Sequence, residues 1–363
     1  MGRTSLAAIL AVLLLASCGD LNSGASGTVV EGRVASVIEA GERRMPGVER
    51  GQLFQRLEVE LDSSLYRGEK VTLEWGGRRA LNAGGLLREG DRLLLTLTRE
   101  GDKRTYTIAE VVRFPALAPF AILLVVTLLG IARLAGLAAL GGLAASVAVF
   151  LLAIVPALQR GDDPLLATVV GSIAVLVAAV FVVHGFGRKS VAALLGTLAG
   201  LVAVGGLGAL ALSATRMTGF ASEEAIFLSV ATDGRMDIAR LALAGVIVGS
   251  LGALVDMSVG QASTTFDLAA ADPELRGRPL YMAALRVGRD HIGSLINTLA
   301  LAYFGGALPL VLLLSLGSQP LSVALNSEEM TASVLAVIVA SVGLVLCVPV
   351  TTAIAVALAG QRR

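Results

Sequence analysis

Gly245-Val-Ile-Val-Gly-Ser-Leu-Gly-Ala-Leu-Val-Asp256-Met-Ser-Val-Gly260-Gln261, a polar connection, and then Gly288-Arg289-Asp290-His291-Ile-Gly293-Ser-Leu-Ile-Asn297-Thr298-Leu-Ala-Leu-Ala-Tyr303-Phe-Gly305-Gly306-Ala-Leu-Pro309 decide how this chain folds. Both stretches are apolar enough and long enough to cross a bilayer, yet both contain carboxylates and amides. A charge at the centre of a membrane helix costs at least ~2.5 kcal/mol on insertion scales, so something must offset it. On the first helix Asp256, Gly260, Ser263 and Asp267 recur at four, three and four residues and share one face. On the second, Asp290, Ser294 and Asn297 do the same. Consecutive antiparallel helices can turn such stripes toward each other, and opposed carboxylates in a low dielectric would hold a proton or a cation between them.

The surrounding chain agrees with a membrane setting. Of 363 residues 55% are hydrophobic and 16% charged, with mean hydropathy +0.80, values of an integral membrane protein. A formal net charge of +1 and 4% aromatics exclude a phosphate-backbone binder, so no nucleic-acid partner is expected. Two Cys and two His, widely scattered, cannot build a metal site, and no cofactor motif is present. Apolar runs cover about 116–132, 134–155, 165–184, 191–213, 239–260, 291–316 and 332–358, each near the ~20 residues that span the hydrocarbon core. The fold class is therefore an all-α polytopic membrane bundle of about seven transmembrane helices over residues 116–360, with a tight turn around Arg133 between the first two. Gly305, Gly306 and Pro309 interrupt the sixth, because Pro309 cannot donate to the Gly305 carbonyl. Broken helices of this kind line cavities in secondary transporters.

Residues 28–113 have the composition of a soluble domain. Leu57-Glu-Val59-Glu-Leu61, Val71-Thr-Leu73-Glu-Trp75 and Leu93-Leu-Leu95-Thr-Leu97 carry the alternation of half-buried strands, and Gly101-Asp102 supplies a hairpin turn before Tyr106-Thr-Ile108. With Val29–Ile38 as a first strand, these make a small OB-like β-barrel. Residues 1–17 read as an export signal, with Leu15-Ala16-Ser17-Cys18 resembling the lipobox of bacterial lipoproteins, in which the Cys is lipidated. The alternative is an uncleaved anchor with an incidental Cys18. Either places the barrel outside the cytoplasm. The loops agree: Arg133, Arg188, Lys189, Arg276, Arg278, Arg286, Arg289, Arg362 and Arg363 then fall inside, and the C-terminus is cytoplasmic.

Structural readings stand beside the functional ones. Asp290 can pair with Arg286 one turn earlier or cap its helix. Asp256 has no basic residue within a turn and is harder to dismiss, the plain reading being a buried carboxylate that fastens helices through Asn297 or Ser294. Gly196-x-x-x-Gly200 and Gly245-x-x-x-Gly249 read as packing, and His184 as an interfacial residue. There is no nucleophile elbow, Walker loop or metalloprotease signature, and Ser258 and Ser263 lack a spaced His or Lys, so no catalytic residue and no enzyme is expected.

Val255-Asp256-Met257-Ser258 through Ala262-Ser263, followed by Gly288-Arg289-Asp290-x-x-Gly293 and Asn297-Thr298-Leu299-x-x-Ala302-Tyr303, resembles the signature of the bacterial YibE/F family of polytopic membrane proteins. The likeness runs through the barrel-like segment, the Gly161-Asp-Asp-Pro164 turn and the Gly185–Lys189 turn, most of residues 28–320; the lipobox-like start departs from it. The resemblance implies a permease-like protein of seven or eight spans without fixing a substrate.

Two functions follow from the residues. The first is a secondary transporter or permease of the bacterial cytoplasmic membrane, coupled to protons or a cation. In it Asp256 and Asp290 titrate or coordinate an ion, Ser263, Ser294 and Asn297 are neutral ligands, and Arg289 is an anion or counter-charge partner. Its partners are the lipid bilayer and a small solute or ion. The second is a non-transporting envelope assembly or sensory protein that acts through its barrel on an envelope protein partner; either could be a homo-oligomer.

Overall fold

Alternation dictates a sheet at one end of the chain, and continuous apolar runs dictate helices along the rest. The computed structural model describes residues 28–43, 51–62, 66–76, 81–101, 103–317 and 320–360. The export signal, Cys18, Asp102, Arg362 and Arg363 lie outside the described residues. Two units result, Met1–Thr127 and Leu128–Arg363.

The first unit is a five-stranded antiparallel sheet in the order β3-β2-β1-β4-β5, from β1 (Thr28–Arg43), β2 (Gln52–Leu61), β3 (Lys70–Gly76), β4 (Arg92–Glu100) and β5 (Lys103–Val111). β1 is longer than its apolar pattern, because it serves two partners: Thr28–Arg33 pairs with β4 and Gly32–Arg43 with β2. Where the ladders overlap, a Cβ on Gly32 would stand 2.8 Å from Val59 Cγ1 and 3.2 Å from Leu95 Cδ1, so only Gly fits. The sheet curls into a half-barrel. Arg104 of the edge strand β5 reaches Glu69, beside the other edge, at 3.3 Å, and lies over the Tyr66 ring. Val30, Leu57, Val59, Trp75, Leu93 and Leu95 fill the interior. Gln55, 4% exposed, clamps the loop before β4, donating to Leu87 O (3.0 Å) and accepting from Leu87 N–H (2.7 Å).

The helices are α1 (Phe114–Val149), a π turn (Phe150–Ile154), α2 (Val155–Gln159), α3 (Pro164–His184), α4 (Arg188–Ala214), α5 (Glu223–Ala231), α6 (Ile238–Ala271), α7 (Gly277–Gly306), α8 (Leu308–Leu316), α9 (Leu321–Leu325) and α10 (Glu328–Ala359). Five helical runs are long and apolar enough to cross a membrane, and a sixth is added if α7 and α8, bent by 60°, are one broken span. The first run, Phe114–Gln159, holds 46 residues, about 69 Å if straight and twice a hydrocarbon core. It is not straight. Arg133 has φ 49° and ψ −121°. A Cβ on Gly136 would lie 2.6 Å from Leu128 O, atoms that a straight helix holds about 12 Å apart. The chain turns at Arg133, where the sequence places a boundary; divided there, the runs number the expected seven.

Glycines set the core of the second unit. A Cβ on Gly196 would overlap Thr351, one on Gly200 would stand 2.8 Å from Leu254 Cδ2 and 3.1 Å from Cys347 Cβ, and one on Gly343 would overlap Val204. These contacts bring α4, α6 and α10 into backbone-close packing, with small residues at the interface as in other membrane helices. Leu201, Ile247, Leu254, Leu344 and Cys347 are buried between them.

α6 continues to Ala271, eleven residues past its expected end at 260. α7 begins at Gly277, where Arg278-Pro279 signals a start, and Asp272 terminates the connection by accepting the Glu274 N–H. Hydropathy marks where the bilayer ends; the helices do not end with it. Outside the apolar zone α6 is held by Thr265, bonded back to Gln261 O, and by Asp267, paired with Lys189 of α4 at 2.6 Å.

Candidate functional site

Asp256 stands near the midpoint of α6, on the face turned away from the α4–α10 core. Itself exposed, it borders an open-sided groove of about 420 Å³ between α6, α3 and the end of the first helical run. α6 contributes Val248, Leu251, Gly252, Val255 and Asp256; α3 contributes Ser172, Val175 and Ala179; the opposite wall is Ser146, Val147, Phe150, Leu151 and Ile154. Among these lining residues Asp256 alone is ionisable.

The cavity owes its wall to a local distortion. Pro156 has no N–H to give the Leu152 carbonyl, and one turn upstream the helix widens, so that Val155 N–H bonds to Phe150 O, five residues back. The π turn directs Ile154 onto Gly171, where any Cβ would overlap its side chain. That contact seats α3 and places the next residue, Ser172, against the cavity. Ser172 is 1% exposed and its Oγ has no hydrogen-bond partner. Ser146, across from it, donates to Gly142 O at 2.9 Å. A carboxylate and an unbonded hydroxyl in otherwise apolar walls of this volume can bind a small solute or a cation.

The two polar stripes do not confront each other, which corrects the expectation from their spacing. α6 meets α7 through other positions. Gln261 Nε2 donates to Ala284 O (2.9 Å) and to Thr352 Oγ1 of α10 (2.7 Å). A Cβ on Gly288 would stand 2.5 Å from Gln261 Oε1, and one on Gly249 would stand 2.6 Å from the Tyr303 hydroxyl oxygen. Ala284, Gly288, Leu299 and Tyr303 thus form the packed face of α7. Asp290, two residues after Gly288, is turned about 200° from it. Arg289, Asp290, Ser294 and Asn297 are all exposed, and none lines the Asp256 cavity. Asp290 also forms no ion pair with Arg286 among the described residues. On α6 itself Ser263 is half-buried on the Asp256 face, and Asp267 is consumed by Lys189. Gly305 and Gly306 end α7, and Pro309 sits in the first turn of α8. Spacing identifies which residues share a face; small side chains decide which face packs.

Several polar residues were given no packing role by the sequence, where Ser258 was weighed only as a nucleophile without a base. Ser258 lies 3.1 Å from Cys347 Sγ, and Thr351 donates to Cys347 O at 2.8 Å and contacts Ser258 Oγ at 3.4 Å. With Gln261 and Thr265, Ser258 makes a second stripe at three and four residues, legible by the same periodicity, on the buried side of α6. Ser172 had no signal of its own beyond its place after Gly171. Among the described residues no group of three His, Cys, Asp or Glu side chains is arranged to hold a metal.

Long apolar helices with polar residues buried in pairs make the second unit that of a membrane protein. Neither the curated proteins nor the solved structures contain a significant match to the chain. The model of the YibE/F-like protein family matches residues 120–361, which covers the helices around Asp256 and leaves out the β-sheet. The chain belongs to the YibE/F family.

Proposed function

We propose that the helical unit is a secondary transporter or permease whose binding site for a small solute or ion is the Asp256 cavity, with proton or cation coupling through that carboxylate. One observation carries this reading: an unpaired carboxylate at mid-helix shares an apolar cavity of about 420 Å³ with a buried hydroxyl that bonds to nothing. A carboxylate kept for structure alone would be bonded, as Gln261 and Ser258 are. Ser172 and Ser146, on the other walls, can orient a polar group. In this reading the chain is not an enzyme. It sits in the bacterial cytoplasmic membrane with residues 28–113 outside and its C-terminus inside, a reading that the distribution of Arg and Lys supports.

The test uses the purified full chain. Small solutes and inorganic cations are screened for thermal stabilisation, and those that stabilise are followed across liposome membranes with an internal pH-sensitive dye. A ligand at one hundred times its Kd stabilises by about 2.7 kcal/mol, well above detection. Asp256→Asn should stay folded and lose both the ligand shift and the flux. Flux and ligand shifts retained in Asp256→Asn would reject the assignment.

A further inference from the structure

The walls around Asp256 limit what can occupy the space between them. All of them belong to the second unit. Ten of the thirteen lining residues are Gly, Ala, Val, Leu, Ile or Phe, so the groove is made for an apolar body; the others are Asp256, Ser172 and Ser146. Ser172 is 1% exposed and its Oγ is unbonded. The π turn adds an acceptor. Val155 N–H goes to Phe150 O and Pro156 has none, so the carbonyl of Leu151, another wall residue, lacks both amides that would close a helical turn on it.

Two bare positions leave room beside the carboxylate. Gly252 and Gly260 lie one turn before and one turn after Asp256, on its face of α6. A Cβ on either would meet nothing within 4 Å, so packing does not call for glycine there as it does at Gly196 and Gly200. Glycine is a poor residue for a helix interior. Gly252 is itself part of the groove wall, and what its missing side chain leaves is space next to Asp256.

Charge and shape together exclude most ligands. An anion is repelled by Asp256. A metal ion stripped of water takes about six oxygen ligands or more, and the walls supply one carboxylate, two hydroxyls and one carbonyl. A dication leaves one charge unmatched among apolar side chains, and a neutral solute leaves the carboxylate unmatched. We infer that the ligand of this groove is an organic ammonium ion of single charge. Its N–H groups bond to Asp256, and its apolar body lies along Phe150, Leu151, Ile154, Val175 and Val255. An ammonium has more than one N–H to give, and Ser172 Oγ and the Leu151 carbonyl are the acceptors left over. The inference rests on the reading of the groove as a solute site and narrows that reading to one chemical class.

The purified full chain is tested for thermal stabilisation by three probes that share one body, phenylbutylammonium, phenylbutanol and phenylbutyrate, and by sodium, potassium and magnesium chloride. The ammonium should bind about tenfold to one hundredfold more tightly than the alcohol, the range for a hydrogen bond to a charged group. The carboxylate and the inorganic salts should give no shift. In Asp256→Asn the ammonium should fall to the affinity of the alcohol. Gly252→Phe places a ring in the groove from a position where a new side chain displaces nothing. It should remove the ammonium shift with Asp256 still in place, and it decides the matter should Asp256→Asn fold poorly. An inorganic cation that stabilises through Asp256 where the ammonium does not would overturn the inference and leave the groove a binding site. Equal binding of ammonium and alcohol, or a preference for the carboxylate, would overturn the inference alone. An ammonium shift retained in Gly252→Phe would overturn it too; one retained in Asp256→Asn would overturn both it and the assignment of Asp256.

Discussion

The two faces of α6 treat polar groups in opposite ways. On the buried face Ser258, Gln261 and Thr265 are almost wholly enclosed, and each is bonded: to Cys347, to Ala284 O and Thr352, and to the carbonyl one turn back. On the other face Asp256 has no hydrogen-bond partner among the described residues and borders a groove where Ser172 Oγ is likewise unbonded. Both sets are polar residues in an apolar helix, so composition cannot separate them; satisfaction does. A bonded polar group fastens helices; in the proposed reading an unbonded one at the same depth is kept for a ligand. Predictions that sharpen the contrast should therefore show large stability losses on the first face and small ones on the second.

The largest loss is expected where the fastened face depends on a missing side chain. Gly196 packs against Thr351, whose Cα would lie 3.1 Å from a new Cβ, so the neighbour that must yield includes backbone. Gly196→Leu should destabilise the helical unit by about 3 kcal/mol or more, as overpacking does at its severe end, and most of the protein should be lost from the membrane fraction. An unchanged melting temperature in detergent would mean that α4 and α10 are not packed this closely. Gln261→Leu comes next. It removes the bridge joining α6 to both α7 and α10, at an expected cost of about 1–2 kcal/mol, since membrane hydrogen bonds are each worth ~0.6–2 kcal/mol. Denaturant unfolding of the two variants side by side gives the ranking. In the β unit, Gln55→Leu should cost a similar ~1–3 kcal/mol by stranding the Leu87 N–H and carbonyl, read as faster proteolysis of the sheet with the helices intact.

These contrasts show what could be read along the chain and what could not. Strict alternation at Leu57-Glu-Val59-Glu-Leu61 located β2, because a strand with one buried face has a period of two whatever its neighbours do. Apolar runs located α3, α4 and α10 to within a few residues, since the bilayer sets their length. The same reasoning ended the apolar run at 260, where hydropathy fades, although the helix persists for about three further turns, past Asp267 as the polar spacing implied, on Gln261, Thr265 and the Lys189–Asp267 pair. Periodicity also grouped Asp290 with Ser294 and Asn297 correctly as one face, and it could not say where that face points. The answer lies in Gly288 and Gly249, whose bare backbones choose which sides of α6 and α7 touch. Ser172 and Asp256, which line the same space, are eighty-four positions apart, and no local pattern links them.

Asp256→Asn should have the smallest effect on folding and the largest on whatever the cavity does. The side chain has no hydrogen-bond partner to lose, and the amide is nearly the same size, so the substitution removes a charge from an apolar wall and strands nothing. Surface-like substitutions away from bonded features change stability by about 0.5 kcal/mol or less, and the loss of an unpaired charge from low dielectric can even be favourable. The variant should therefore melt within a degree or two of the native chain, or slightly above it, while Gln261→Leu melts clearly below. A drop as large as that of Gln261→Leu would place Asp256 among the fastening groups. The line between the two faces of α6 would then have to be redrawn with the carboxylate on the bonded side.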